Sequence, residues 1–260
     1  MSSVNLRTKT VFITGVSSGI GLACAHTFAE QGANLILAAR RLDRLQALTT
    51  DLIEKHGVAI HFGELDVRNQ PAVERFVENL PPFFKAIDIL INNAGLSRGL
   101  EPVHNGKLDD WEEMIDTNIK GLLYVSRAVM RGMVEKNSGH VINIGSIAGH
   151  QVYPGGSVYC ATKFAVRALS EGFMMETVNT PIRVSTVDPG MVETEFSIVR
   201  YHGDEGRASA TYKGLTPLSA VDVAEAVVFV ATRPAHVNVA EMVLLPTDQA
   251  SVYHANRRTT

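Results

Sequence analysis

The stretch Thr10-Val11-Phe12-Ile13-Thr14-Gly15-Val16-Ser17-Ser18-Gly19-Ile20-Gly21 decides how this chain is read. An apolar run, Thr10–Thr14, passes into a glycine-rich turn, and the turn opens a segment of helical length. Glycines at such a junction permit a tight turn and let a diphosphate approach the backbone. The helix N-terminus then offers free N–H groups and a partial positive charge to that anion. A glycine-rich turn alone is a weak signal, but the strand before it and the helix after it make it specific. Gly15, Ser17, Ser18, Gly19, Ile20 and Gly21 are therefore the candidate cradle for a dinucleotide diphosphate.

Outward from that turn, short apolar runs recur at 35–39, 59–65, 87–91, 140–144, 183–187 and 242–245, separated by segments of helical length. Continuous apolar strands alternating with helices predict an α/β fold in which helices cover both faces of a parallel sheet. Seven such strands match a doubly wound, Rossmann-type sheet. No repeat or low-complexity linker divides the chain, so residues 1–260 are read as a single dinucleotide-binding domain. The densest irregular stretch, Tyr201-His202-Gly203-Asp204-Glu205-Gly206-Arg207, lies within a region at about 190–215 that reads as a substrate loop, either exposed or forming a lid.

Composition sets the outer limits. The 260 residues are 45% hydrophobic and 20% charged, a balance that argues against global disorder. A net charge of −3 with no basic run argues against nucleic acid and against an anionic membrane surface as partners. Two cysteines, Cys24 and Cys160, are too few for a disulfide scaffold and lack the spacing of metal ligands, so no metal is expected. The uncharged stretch from Val11 to Ala29 is as long as a membrane span, but its glycines, serines and His26 favour strand, turn and helix instead. Met1-Ser2-Ser3-Val4-Asn5-Leu6-Arg7 has polar residues where a signal peptide has its apolar core, and a cytoplasmic protein is expected.

The end of the second strand selects the dinucleotide. NAD enzymes place a carboxylate there to accept hydrogen bonds from the ribose 2′-hydroxyl. This chain reads Leu37-Ala38-Ala39-Arg40-Arg41, with alanine in the acidic slot and two arginines beyond it. Arginine forks pair with a 2′-phosphate, so NADP is favoured over NAD; the competing reading leaves one arginine solvated at a helix start. Asp66 and Val67, at the end of the third strand, are placed beside the adenine. Asn92-Asn93-Ala94-Gly95 ends the fourth strand at the carboxyl edge, where ligands bind in open α/β sheets, and Asn93 is a candidate cofactor residue.

Two helical segments carry further information. From Asp109, a predicted N-cap with Glu112 three residues on, apolar residues recur at Trp111, Ile115, Leu122, Val125 and Val129, with Asn118 inside the stripe. After Tyr159, small residues recur at Ala161, Ala165, Ala168 and Gly172, which suits either packing on the sheet or a subunit interface. Tyr159 and Lys163 stand four apart, on one helical face. A free phenol has a pKa near ~10, and a neighbouring ammonium favours the phenolate and eases proton exchange at neutral pH. Ser146 closes the fifth strand, in position to hydrogen-bond a substrate oxygen.

Taken in order, Thr14-Gly15 with Gly19-Ile20-Gly21, Asn92-Asn93-Ala94-Gly95, Asn118, Ser146, Tyr159 with Lys163, and Pro189-Gly190 with Thr194 resemble the short-chain dehydrogenase/reductase family from the first strand to the last. The resemblance implies reversible oxidation of an alcohol to a carbonyl. It implies that Tyr159 is the general acid of reduction and the base of oxidation. Lys163 would lower the pKa of Tyr159 and bind the nicotinamide ribose, Ser146 would orient the carbonyl oxygen, and Asn118 would hold a water linking Lys163 to solvent. Pro189 through Thr194, with Gly190 and Val192, would seat the nicotinamide. Cys160 reads simply as a small packing residue.

Within that family, residues 88–96, 111–118, 195–200 and 234–238 resemble the branch of NADP-dependent 3-hydroxy acid dehydrogenases that act on serine or L-allo-threonine. That branch implies oxidation of the β-hydroxyl of small hydroxy acids by a homotetramer. The segment Met191-Val192-Glu193-Thr194 departs from some relatives by being one residue shorter. A carbonyl reductase acting on ketones or dicarbonyls is the alternative. A regulatory NADP sensor without turnover fits less well, because it needs no tuned tyrosine. A hydroxy acid brings a carboxylate that needs a cation. Arg200, four residues after Phe196, is the first candidate and Arg98 the second, against the plainer reading of Arg200 as solvated or paired with Glu193 or Glu195.

Overall fold

The computed structural model describes residues 4–258, so the N-terminal reading rests partly on residues 1–3, which lie outside the described residues. Seven strands form one parallel sheet: β1 (Thr10–Thr14), β2 (Asn34–Ala39), β3 (Ile60–Glu64), β4 (Ile89–Asn92), β5 (His140–Ile144), β6 (Arg183–Pro189) and β7 (Glu241–Leu244), in the order β3-β2-β1-β4-β5-β6-β7. The chain winds outward one way from β1, then returns through β4 to wind the other way. The carboxyl ends of β1 and β4 therefore flank the switch point at which a ligand crevice forms.

Strand alternation sends side chains to two separate cores. Val11, Ile13, Leu35 and Leu37 enter one, with Cys24 and Phe28 from α1 (Gly19–Glu30), Leu45 and Leu52 from α2 (Leu42–His56), and Val223 and Val227 from α9 (Ala220–Ala231). Phe12, Ile36 and Leu90 enter the other, with Val73 from α3 (Gln70–Glu78) and Val125, Val129 and Met133 from α5 (Leu122–Glu135). Phe28 is fully buried; truncating such a side chain to alanine costs roughly 3–5 kcal/mol. The outer strands differ from the expectation of uniformly apolar runs. β3 and β7 are edges, and their outward residues, such as Glu64, Glu241 and Val243, stay exposed. β3 is also shorter than the predicted 59–65, so Asp66 stands two residues beyond its end.

The segment from Asp109 is not one regular helix. α4 (Leu108–Ile115) is followed by a π turn, Asp116–Gly121, and then by α5. Asp109 is not the cap: the N-cap is Lys107, with no side-chain bond, and Asp109 sits in the first turn, where its charge suits the helix dipole. The buried face runs through Met114, Asn118, Leu122, Val125, Val129 and Met133, while Trp111 and Ile115 are only partly covered. Met133 follows Met114 by 19 residues, whereas five ideal turns take 18. The π turn absorbs the extra residue, so Met114 packs beside Leu96 and Tyr159 while Met133 stays against the sheet.

The small-residue stripe lies on α6 (Ser157–Glu176), and it does not pack on the sheet. Ala161 and Ala168 are exposed, Ala165 and Gly172 half-buried, and Phe164 and Met175 stand out on the same face at 40% and 64% exposure. Thr162, Lys163, Val166 and Ser170 take the inward face instead. The stretch after Tyr201 is partly ordered into helix. α7 (Phe196–Arg200) and α8 (Glu205–Ala210) are held together by Tyr212, whose hydroxyl donates to the Val192 carbonyl (2.9 Å) and lies 2.7 Å from Ser197 Oγ.

Candidate active site

A cleft of about 240 Å³ opens at the carboxyl edge of the sheet, over the switch point. Its floor is the first turn. Gly15 has φ +70°, and a Cβ there would sit 2.9 Å from both the Ala94 Cα and Asn93 Nδ2, so only glycine allows this approach between the ends of β1 and β4. Asn93 braces the junction by donating to the carbonyls of Thr14 (2.9 Å) and Gly15 (3.1 Å). Gly21 does not line the cleft. A Cβ there would meet Asn93 Nδ2 at 2.4 Å, so Gly21 serves the packing behind the turn.

Gly19 and Ile20 line the cleft at the start of α1, and Ser18, its N-cap, makes no side-chain cap bond. The first N–H groups of the helix thus have no side-chain acceptor. That donor set fits a diphosphate. Ser17, Ser18, Arg40 and Arg41 line the same end, and Asp66 and Val67 the wall beyond. Arg41 is already engaged: its Nε and Nη2 donate to Ser17 Oγ (3.0 and 2.9 Å), Nη2 also to Ser18 Oγ (2.9 Å), and Nη1 to Glu195 Oε2 (2.9 Å). Arg40 is freer, with a 3.7 Å approach to Glu113. Burial works against the charge on Asp66, but the Arg68 fork outweighs it and holds that carboxyl below its ordinary value.

The opposite end holds the chemistry. Ser146, Tyr159, Lys163, Pro189, Gly190, Val192 and Thr194 all line the cleft. Tyr159 and Lys163 are buried on α6, and the Lys163 Nζ donates to the Ile144 carbonyl at 2.8 Å. Burial lowers the Lys163 ammonium to about 8, against the pull of Asp188. Burial likewise pushes the Tyr159 phenol up, and the Arg200 cation and the Ser146 hydroxyl pull it back. Asn118, in the π turn, lies behind the cleft. Its Nδ2 donates to the Leu96 carbonyl (2.8 Å) and Thr162 Oγ1 (3.0 Å), and its Oδ1 accepts from the Leu96 N–H (2.9 Å). Both amide hydrogens are committed to bracing the loop after β4 against α6, which leaves only Oδ1, beside Gly95, with a spare lone pair.

Arg200 does not line the main cleft but backs its catalytic wall. The guanidinium stands 5.5 Å from the Tyr159 ring centroid and 5.1 Å from that of Phe196, and Nη2 donates to the Tyr153 hydroxyl at 3.2 Å. Its Nε–H is buried with no acceptor. It pairs with neither Glu193 nor Glu195. Arg98, the second candidate, is occupied by Glu113 (2.7 Å) and the Val199 carbonyl. Sequence reasoning passed over Asp188, Arg44 and Tyr153, and it named Phe196 only as a neighbour of Arg200 and Glu195 only as an alternative partner of Arg200. Asp188 is buried with its carboxylate over Gly145, bonded to His150 (3.0 Å) and Thr186 (3.0 Å). A lone acid in a strand otherwise set for burial was the signal for it; the others depend on contacts distant in sequence.

The family model described as short chain dehydrogenase matches residues 9–204. The chain belongs to the short chain dehydrogenase family. Among its curated relatives is "NADP-dependent 3-hydroxy acid dehydrogenase YdfG" of Shigella flexneri, 47% identical over 241 residues, which are 92% of this chain and 96% of that protein. "Sulfoacetaldehyde reductase 2" of Chromohalobacter salexigens is 44% identical over 92% of this chain and 95% of its own. The structure described as "The Closed form of serine dehydrogenase complexed with NADP+" superposes with a TM-score of 0.90 at 45% identity, covering 96% of this chain and all of that one. The family resemblance read from the motifs is thus borne out, and so is the Rossmann-type, seven-stranded parallel sheet. Among the described residues of this dehydrogenase, no helix is long and apolar enough to cross a membrane.

Proposed function

We propose that this protein is an NADP-dependent dehydrogenase that oxidises the β-hydroxyl of small 3-hydroxy acids such as serine or allo-threonine. The observation that carries this reading is the buried, unpartnered Nε–H of Arg200 beside the Tyr159 ring. A half-buried guanidinium with one donor left free beside the catalytic tyrosine suits an anion. A substrate carboxylate held on the Arg200 side sets the β-carbon, two bonds from the carboxyl carbon, toward the catalytic phenol. The 3-hydroxy acid and serine dehydrogenase relatives support the same substrate class.

In this reading Gly15 to Ile20 hold the diphosphate, Arg40 and Arg41 the 2′-phosphate, Asp66 and Val67 the adenine, and Pro189 to Thr194 the nicotinamide. Bound NADP+ supplies the hydride acceptor. Ser146 donates a hydrogen bond to the substrate oxygen, and Tyr159 as phenolate removes the hydroxyl proton at Oη. Lys163 and Arg200 stabilise that phenolate, and Lys163 also binds the nicotinamide ribose. Asn118 fixes the Leu96 loop against α6 and offers Oδ1 to a water near Lys163.

The whole chain, 1–260, acts as one unit whose substrate loop spans about 190–215. A cytoplasmic homotetramer belongs to the proposal. The buried, unpaired thiols of Cys24 and Cys160 suit a reducing compartment, and the outward α6 face of Phe164, Ala168 and Met175 suits a subunit contact. The sulfoacetaldehyde reductase relative favours a second reading, NADPH-dependent reduction of a carbonyl by the same residues. The test is a panel of hydroxy acids and neutral alcohols with NADP+, and of ketones with NADPH, followed by nicotinamide absorbance. Arg200→Met is expected to raise KM for hydroxy acids by roughly tenfold or more, the worth of one charged hydrogen bond, and to spare a neutral ketone of similar size. An equal rise for both substrates, or none, would refute the carboxylate role.

A further inference from the structure

Glu195 joins two parts of the molecule that the reaction uses separately. It precedes α7 in the substrate loop, and its carboxylate accepts from Arg41 Nη1 at 2.9 Å and from Arg44 Nη1 at 2.7 Å. Arg41 in turn holds Ser17 and Ser18 of the diphosphate turn, and Arg44 reaches the Ser17 carbonyl at 3.3 Å. Glu195 and Arg41 both line the cleft. A single carboxylate therefore fastens the substrate loop to the arginine group at the adenosine end of the site. Arg44, then Arg41, hold that carboxyl below its ordinary value, so it is charged throughout the neutral range.

We propose that Glu195 is a specificity-determining residue that clasps the substrate loop to Arg41 and Arg44 and competes with the cofactor 2′-phosphate for the same cations. The inference rests on the reading of Arg40 and Arg41 as 2′-phosphate ligands. Arg41 has five N–H donors; the bonds to Ser17, Ser18 and Glu195 use four of them, so a phosphate meets a partly occupied fork. Ser17 and Ser18 keep the Arg41 guanidinium in place without Glu195, so removing the carboxylate charge frees a donor without releasing the arginine. Linkage then runs both ways: the factor by which Glu195 weakens phosphate binding is the factor by which bound phosphate loosens the clasp. NAD, which lacks the phosphate, takes no part in that competition.

The experiment measures dissociation constants of NADP+ and NAD+ by titration calorimetry, and KM for a hydroxy acid, in wild type, Glu195→Gln and Glu195→Asp. Glu195→Gln is expected to bind NADP+ more tightly by roughly three- to tenfold, the effect of one like charge at a partly exposed site, to leave NAD+ unchanged, and to raise KM. Glu195→Asp keeps the charge but shortens the reach, so NADP+ affinity should stay near wild type while KM rises. Weaker NADP+ binding in Glu195→Gln, an equal shift for both nucleotides, or an unchanged KM would overturn the proposal. A wild type that binds NAD+ as tightly as NADP+ would instead overturn the reading of the arginines. A wild type that prefers NADP+, with a preference unmoved by Glu195→Gln, would overturn the Glu195 proposal and leave the reading of the arginines standing.

Discussion

The Lys163 ammonium on α6 is tied by a 2.8 Å hydrogen bond to the carbonyl of Ile144, the last residue of β5. The bond fixes the lysine beside Ser146 and Tyr159, in a position where burial lowers its pKa to about 8. Below pH 8 the folded protein holds a charge that the unfolded chain solvates in water.

That charge makes the site a local liability. The shift from 10.5 to about 8 corresponds to a few kcal/mol, at roughly 1.4 kcal/mol per pKa unit. Because the folded pKa lies below the unfolded one, the cost is full below pH 8 and fades as pH rises from 8 towards 10.5. Lys163→Met should abolish most activity, and its Tm relative to wild type should be more favourable at pH 7 than at pH 10. Thermal denaturation of both proteins at the two pH values checks the sign.

Tyr159→Phe keeps the ring that packs edge-on against Phe196 at 5.7 Å and removes the transferable proton. Turnover should fall on the order of 10²–10⁴, the usual worth of a general acid–base group, while NADP+ still binds. Steady-state kinetics and nucleotide titration separate the two. Since burial raises the phenol, wild-type oxidation should gain rate with rising pH along its acid limb, as the phenolate becomes populated.

The two arginines should respond differently. Arg40 has a 3.7 Å approach to Glu113 and otherwise a free fork among the described residues, so Arg40→Ala should lower NADP+ affinity by roughly tenfold or more and leave NAD+ affinity and Tm unchanged. Arg41→Ala should lower NADP+ affinity and Tm together, because Ser17, Ser18 and Glu195 lose a common partner. Calorimetric titration and melting curves distinguish these outcomes.

Ala168 stands exposed in the middle of the apolar outer face of α6. If that face is a subunit contact, Ala168→Glu buries an unpaired charge there, and the oligomer should dissociate. Light scattering of wild type and variant gives the answer directly, and a monomeric wild type would exclude the contact.

The central strands were legible because β1, β2, β4 and β5 are buried on both faces and read as unbroken apolar runs. β3 and β7 blurred at their ends because an edge strand tolerates His61, Glu64 and Glu241. Gly15, Ser146, Tyr159 and Lys163 could be named before the fold was known because their order along the chain resembles the family's, whereas spacing alone leaves Tyr159 and Lys163 indistinct from any surface helix pair. Gly21 was assigned to the cofactor because motif spacing does not distinguish a residue that faces the ligand from one that packs behind it. Glu195 was invisible as a partner of Arg41 because 154 positions separate them. The π turn was hidden for another reason: one surplus residue shifts an apolar stripe too little to break its apparent period.

That surplus residue makes the helical stretch from Leu108 to Glu135 unequal in its tolerance of change. Substitutions on its exposed side, at Glu112 or Lys120, leave the winding as it is. Deleting one residue between Asp116 and Gly121 would bring the span from Met114 to Met133 to the 18 residues of five regular turns, so α4 and α5 would keep their faces and only the wide turn would be lost. Val125, Val129 and Met133 would stay on the sheet, but Asn118 would lose the position from which it bonds the Leu96 loop. Among natural or engineered variants, a one-residue deletion here should therefore spare the fold and disturb the site, whereas an insertion should disturb both.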